Sequence, residues 1–492
     1  MYAEMMFLGA FFLSGAAVLS AAGLRGWGIL PLGYLAGLFL WVLIGTGFAV
    51  VGAPTSPGIL LTALVVLAVC VSVLTRLHKV LTSRDYTLIV GGMLVLAIGV
   101  WSIWAVGNVK YHIDSFRYLL VSGLLAENHF DWLNANLLTK RMLGAPLLHL
   151  PAAAYGASHV VALTPLMALS VLGALGWFIW QGRGRAPGLL VVAIGSAVVL
   201  LLATNNRFIW NAFYVNAHLF VGVALLILVA TLWLYVQAAN QGDRRFLLVL
   251  AFLSIPSLIV SRPEGFILAG LAVLPFLLNK GIGKVERSIL AAVYLGGTLV
   301  WFGYVGVAIS AMSSTVPSSV LGAIALAVAG LILLPLLWVE RLMNWRMFMF
   351  RAVEGGMWIL LGWLSIVNWE LMKDSLMATN ENLFLGAGSW GASVAMLLFL
   401  VVVTLLLLRR SVPVEIRFPL TAAVPVFFLL AHLREGAYRV GNGDSLNRML
   451  IEIVPLAVLL LGVALVLHWG VVQSRICAAG TKSASSGNNE VT

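Results

Sequence analysis

The sequence predicts an all-α polytopic membrane protein, a bundle of about 13–15 transmembrane helices. Of its 492 residues, 62% are hydrophobic and only 10% charged, and the mean hydropathy is +1.04. A soluble domain is about half apolar and about a quarter charged, and it must keep a polar skin that this chain cannot supply. Apolar runs long enough to cross the hydrocarbon core, about 17–25 residues, recur from end to end. They are rich in Leu, Ala and Gly and lack the period-two alternation of a membrane barrel strand. A helix is then the way left to satisfy each backbone polar group within lipid.

In chain order the runs place spans near 5–24, 29–51, 58–75, 86–106, 159–181, 188–204, 217–238, 246–261, 266–279, 288–311, 320–338, 353–370, 391–408, 418–433 and 450–470. The pair 246–261 and 266–279 is short enough for a re-entrant hairpin as well as for two crossings. Residues 1–24 have the length of a signal peptide, but Met1 to Glu4 is not a basic leader, so a retained first span is expected. Alternate connections then fall into two sets. One is short and basic: Arg76, Lys79 and Arg84; Arg183 and Arg185; Arg244 and Arg245; Lys280, Lys284 and Arg287; Arg341, Arg346 and Arg351; Arg409, Arg410 and Arg417; and Arg475 and Lys482 in the tail. By the positive-inside rule this set is cytoplasmic.

The opposite connections mix acids and bases close to span ends, where charge is costly and tends to mark function. They are about 107–158, 204–216, 261–265, 311–319, 370–390 and 433–449. The net charge of +11 is dispersed, without the aromatic-interleaved basic stripe of a nucleic-acid binder. Cys70 and Cys477 are the only cysteines, too few for a disulfide framework or a thiolate metal cluster. No internal repeat supports an inverted-repeat transporter. No nucleotide loop, dinucleotide fingerprint, zinc-protease motif or nucleophile elbow is present, so any group transfer must draw on an activated donor.

The long segment after the fourth span, from Asn108 to Tyr118 and onward, reads as an amphipathic helix. Phe116, Leu119, Leu120 and Leu124 form its apolar stripe. Asn128 to Asn134 interrupts it, and Gly144-Ala-Pro-Leu-Leu-His-Leu-Pro151 leads back to the membrane. Ser261-Arg-Pro-Glu-Gly265 is a tight turn whose Arg262 has the fork geometry to hold a lipid phosphate, with Glu264 to orient it or take a sugar hydroxyl. The last such loop, His432 to Arg448, holds Arg439, Gly441, Gly443 and Asp444. Glu452 follows Arg448 by one turn, so the two are expected on one face. Asn205 to His218 supplies Arg207, amides and aromatics, a mixture that suits a sugar surface and an interfacial belt equally. The 370–381 stretch reads as a solvated loop.

This arrangement resembles the GT-C glycosyltransferases, polytopic enzymes that use polyprenyl-phosphate-linked sugars. Asp114 sits where the family has an acid after a span, Tyr118 lies on the interfacial helix, and Gly144 to Pro151 matches the proline-containing return. Asn447-Arg-Met-Leu-Ile-Glu-Ile-Val-Pro455 resembles the late span that opens with Arg and continues to Pro. Ser115 stands where many members have a second acid, and about three additional N-terminal helices precede the match. The resemblance implies a GT-C-like core at 86–280, additional helices at 1–85, C-terminal helices at 281–470 and a cytoplasmic, low-complexity tail at 471–492 expected to be disordered.

It further implies a lipid-linked sugar donor, a lipid, glycan or protein acceptor, and activity on the outer face of the cell membrane. Asp114 would be base or metal ligand, and Arg448 would meet the carrier phosphate. Independently, sugar transfer to a hydroxyl or amine needs a base, and desolvation at an interface makes a carboxylate more basic; the bland reading of Asp114 is a helix cap, and of Arg448 a snorkelling side chain. Arg207, Arg439 and His112 complete the substrate-binding candidates, with Asp444 and Glu264 positioning sugar or metal. A divalent metal, Mg or Mn, stays open, with Asp114 its candidate ligand and Asp131, Glu264 or Asp444 available to complete a site. Competing readings are an O-antigen-type polymerase or ligase, a lipid-linked-glycan flippase or other transporter, and a membrane scaffold.

Overall fold

A computed structural model describes residues 1–107, 113–130, 133, 135–184, 186–238, 240–312, 314–433, 438–441 and 444–486. Among them the secondary structure is helical, without strands. Ten helices are long and apolar enough to cross a membrane, and the bent pair Gly188–Ala203 and Asn206–Ala212 makes an eleventh candidate. The chain is a multi-pass helical membrane protein. Helices also occupy the remaining expected spans, at Gln241–Ile259, Gly265–Leu277, Ser393–Leu407 and Val414–Leu433. The last helix, Val454–Ser486, runs well past 470, into the stretch expected to be a disordered tail.

Helix His218–Gln237 is the axis of the bundle, buried at every position from His218 to Tyr235. It is apolar all round, as a helix enclosed by others must be. Around it pack helices Leu163–Gln181, Gln241–Ile259, Gly265–Leu277, Val414–Leu433 and Val454–Ser486. Farther out, helices Pro57–Leu74, Ser83–Val106, Ser318–Leu333 and Arg346–Val367 expose Val66, Val95, Ile98, Leu326, Ile332, Ile359 and Ile366. Apolar surface of this extent is tolerable in lipid and not in water.

Hydrogen bonds between connections respect the alternation read from the sequence. At the end carrying the arginine loops, Gly26 N–H donates to Asp85 Oδ1 over 3.0 Å and Asn279 reaches Glu415 over 3.4 Å. At the opposite end Thr55 bonds Leu125 and Asn128, and Asn206 bonds Ser389. Because Asn279 lies with Glu415 at the arginine end, while the 261–265 turn lies at the other, the 241–277 helix pair runs the height of the bundle and back.

The first two helices, Tyr2–Ala21 and Ile29–Val50, approach closely through glycine. A Cβ on Gly37 would stand 1.8 Å from Phe11 O, and one on Gly15 would stand 2.0 Å from Gly33 O. Glu4 was expected outside the first span; it is buried in that helix, where it accepts from Ala162 N–H at 2.6 Å and from Trp104 and Tyr155, each at 3.2 Å. A buried carboxylate needs such partners.

Gly37→Val should therefore force the two helices apart and cost about 1–3 kcal/mol or more. Gly47→Ala, with nothing within 4 Å of the new methyl, should be neutral. Thermal midpoints of the two variants in detergent check the contrast.

Candidate functional site

The three segments singled out at the non-basic end meet in space. Helix Ile113–Ala126 lies across this end with a buried face made of Ser115, Tyr118, Val121, Ser122 and Leu125, and with Asp114 at its start. Phe116 and Leu120 of the expected apolar stripe are 63% and 54% exposed. Leu124 of the same stripe is buried and Leu119 is half-buried, so the stripe is split between the protein and its surroundings. Ser115 Oγ donates to Val215 O over 2.9 Å and fixes the helix on the connection before the central helix.

Asp114 is held between two arginines. Arg141 Nη2 donates to its Oδ1 over 2.7 Å, and Arg448 Nη1 donates to its Oδ2. The three side chains are 10–13% exposed, so the cluster lies just inside the surface. Arg448 Nε also donates to Asp444 O over 3.1 Å. Burial works against the Arg448 charge, but Asp114 and Tyr214 outweigh it and hold the guanidinium above its ordinary range. Burial raises the Tyr214 phenol, with the Arg448 charge opposing.

A second, drier layer lies behind. Arg262 Nη1 donates to Tyr118 OH over 3.1 Å, and its Nε donates to Glu264 Oε1 over 2.9 Å. Burial disfavours the Arg262 charge, yet Glu264, Tyr118 and Glu452 raise it further than burial lowers it. The 261–265 turn is thus an internal element and not a solvated one. Gly144 packs on it: Leu143 and Gly144 N–H both donate to Val260 O over 3.1 Å, and a Cβ on Gly144 would stand 2.3 Å from Ser261 Oγ. That contact seats Arg141, three residues upstream of Gly144, beside the Tyr118 ring, 5.4 Å from its centroid.

Other candidates take different places. Asp444 caps helix Ser445–Met449, accepting from Asn447 N–H at 2.7 Å and from Arg439 N–H at 2.8 Å. Its carboxylate is therefore committed to backbone. The Arg439 side chain is exposed. Arg207 is fully buried, stacked 4.4 Å from the Trp210 centroid and within the fields of Arg448 and Asp444. Asn205, Asn211, Asn216 and His218 are buried with it, an internal polar seam behind the exposed Asn206 and Ile209. Residues 369–383 form a helix, with Glu370 and Lys373 paired on its exposed side and Asn382 buried against the 439–441 backbone. His112, Asp131, Asn442 and Gly443 lie outside the described residues.

Glu452 was expected to share a face with Arg448. It turns inward instead, fully buried, with its Oε1 2.7 Å from His218 Nδ1. Gly222 permits this, since a Cβ there would meet Ile451 O at 2.9 Å and Glu452 Cα at 3.1 Å. Arg141, His218 and Glu452 are the members that reading the sequence for function missed. The signal available was their position near span ends on the non-basic side.

For a metal at Asp114 the residues do not fit. Both carboxylate oxygens already accept from guanidinium groups, whose charge opposes a cation at the same oxygens. Comparisons with protein-family models, curated proteins and solved structures return no match.

His149, at the end of the short helix Gly144–His149, is buried against His159 and pushed down to about 3 by burial first and the second imidazole next. The unfolded chain therefore takes up its proton near pH 6.5, while the folded chain resists until about pH 3. Stability is unaffected above pH 6.5 and falls as pH drops below it, by up to about 1.4 kcal/mol per unit. Thermal midpoints recorded from pH 7.5 to 4.5 should decline less steeply in His149→Asn than in the wild type.

Proposed function

We propose that this chain is a GT-C-like membrane glycosyltransferase, moving a sugar from a polyprenyl-phosphate or diphosphate carrier to a lipid, glycan or protein acceptor on the outer face of the cell membrane. The observation that carries the proposal is the arginine pair on Asp114, drawn from the loop before Gly144 and from the short helix before the last span, at the edge of the bundle. Arg207, buried nearby, adds positive charge. Phosphate oxygens suit such guanidinium forks.

The arrangement supports a sequence of events in which partners are exchanged. A carrier phosphate entering beside Arg141 and Arg448 competes with Asp114 for their N–H groups. As the bond from the sugar's anomeric carbon to the phosphate oxygen breaks, charge gathers on the phosphate and draws the arginines to it. The acceptor oxygen or nitrogen forms its bond to the same carbon, from the opposite face if the reaction inverts. The acceptor's proton passes to Asp114, released from one guanidinium by that exchange. Tyr118 and Arg262 hold the helix that presents Asp114, with Glu264 orienting Arg262.

The charges gathered at Asp114 and Arg262 belong to the site, whereas those of the arginine loops follow from topology. A transporter would be expected to place charged groups at mid-membrane around a central cavity. The axis of this bundle is filled instead by the apolar length of helix His218–Gln237.

Asp114→Asn keeps the shape and removes the base, and should lower transfer from crude lipid-linked sugars by about 10²–10⁴-fold. Unchanged transfer would remove Asp114 from the chemistry. Arg448→Ala should weaken binding of polyprenyl phosphate by at least about tenfold, read by equilibrium binding in nanodiscs, and undiminished affinity would remove the carrier site from this position.

A further inference from the structure

Behind the Asp114 layer, three side chains from three different parts of the chain converge. His218 opens the central helix, Glu264 ends the 261–265 turn, and Glu452 ends the 3₁₀ turn Leu450–Glu452. Their exposures are 3%, 1% and 0%, and each offers a ligand atom within 4.8 Å of the others. Two carboxylates at this separation without water demand compensating positive charge. Arg262 meets that demand on Glu264. On the Glu452 side the neighbour is His218, neutral or protonated.

We infer that His218, Glu264 and Glu452 form a binding site for a first-row divalent cation, Zn²⁺ foremost. One imidazole nitrogen and two carboxylate oxygens suit zinc, which is commonly held by three protein ligands with a fourth position left for water. Magnesium and calcium favour all-oxygen sets, so the imidazole selects against them. Zinc bonds of about 2.0–2.1 Å set ligands about 3.3 Å apart. Binding therefore draws the side chains inward and opens the 2.7 Å His218–Glu452 contact. The ion would tie the central helix, the 261–265 turn and the last span together directly beneath Tyr118 and Arg262. Its role is to position those groups, and the inference is independent of sugar transfer.

The test uses the full chain without a polyhistidine tag, purified in detergent, stripped with chelator and then titrated with ZnCl₂. The expected result is about one equivalent of zinc per chain by elemental analysis after gel filtration. The thermal midpoint should rise by at least about 3 °C. His218→Asn and Glu452→Gln should abolish both effects, while Asp114→Asn should keep them, which separates failure of the metal site from failure of the transfer proposal. Co²⁺ added to the stripped wild type should give the visible bands of a low-symmetry site, a readout that holds if a variant fails to fold. A stripped wild type that takes up no zinc, shifts no midpoint and gives no cobalt bands overturns the inference, as do folded variants that bind zinc as the wild type does. The cluster would then be balanced by a proton on His218.

Discussion

Asp114 is drawn out of water by the docking of the outer helix and must be paired where it lands. A carboxylate so placed is tolerable only with cations against it, and this chain provides two, from residues 27 and 334 positions away. The outer helix, the loop that returns through Gly144 and the last span are consequently held in one relation. Losing any member leaves an uncompensated charge at the edge of the bundle. Much of the neighbouring geometry follows. Asp444 is spent on capping so that Arg448 leaves its helix in the right direction, Ser115 pins the outer helix to Val215, and Gly144 lies flat on the 261–265 turn.

The spans could be read from sequence because lipid imposes a length and a composition that no other element of a protein satisfies. Helices occupy all fifteen expected positions, most with ends displaced by a few residues and the last running on to Ser486, and the inter-loop hydrogen bonds follow the expected alternation. That Asp114, Tyr118, Arg262 and Arg448 lie together was legible for the same reason, since residues confined to one end of a bundle have little room to avoid one another.

Pairing was not legible. Nothing in a single sequence tells that Asp114 takes Arg141 as well as Arg448, or that Glu452 turns to His218, because these choices depend on rotation about helix axes. A glycine on the facing helix, Gly222, decides the second of them. The stripe of Phe116 and Leu120 shows the same limit from the other side. Amphipathicity identifies two faces of a helix but does not say which faces the protein when the surroundings are as apolar as the interior. The burial of Glu4 and of Asn205, Asn211 and Asn216 was not legible for a related reason: polar groups near a span end look solvated until a loop is folded over them.

The two polar layers differ in what they are able to do. Arg262, Glu264, His218 and Glu452 are enclosed to the point that a ligand as large as a sugar or a lipid phosphate could reach them only by opening the bundle. They set positions. Asp114, Arg141 and Arg448 are 10–13% exposed, close enough to the surface for a ligand to enter and still dry enough for its charge to be felt strongly. In the proposed reaction, partner exchange would fall to the layer of Asp114, Arg141 and Arg448, and the layer behind it would hold the helix that presents Asp114. Tyr118 joins the two, with its ring face against Arg141 and its hydroxyl oxygen accepting from Arg262 Nη1, so displacement of either arginine is transmitted to the helix that carries Asp114.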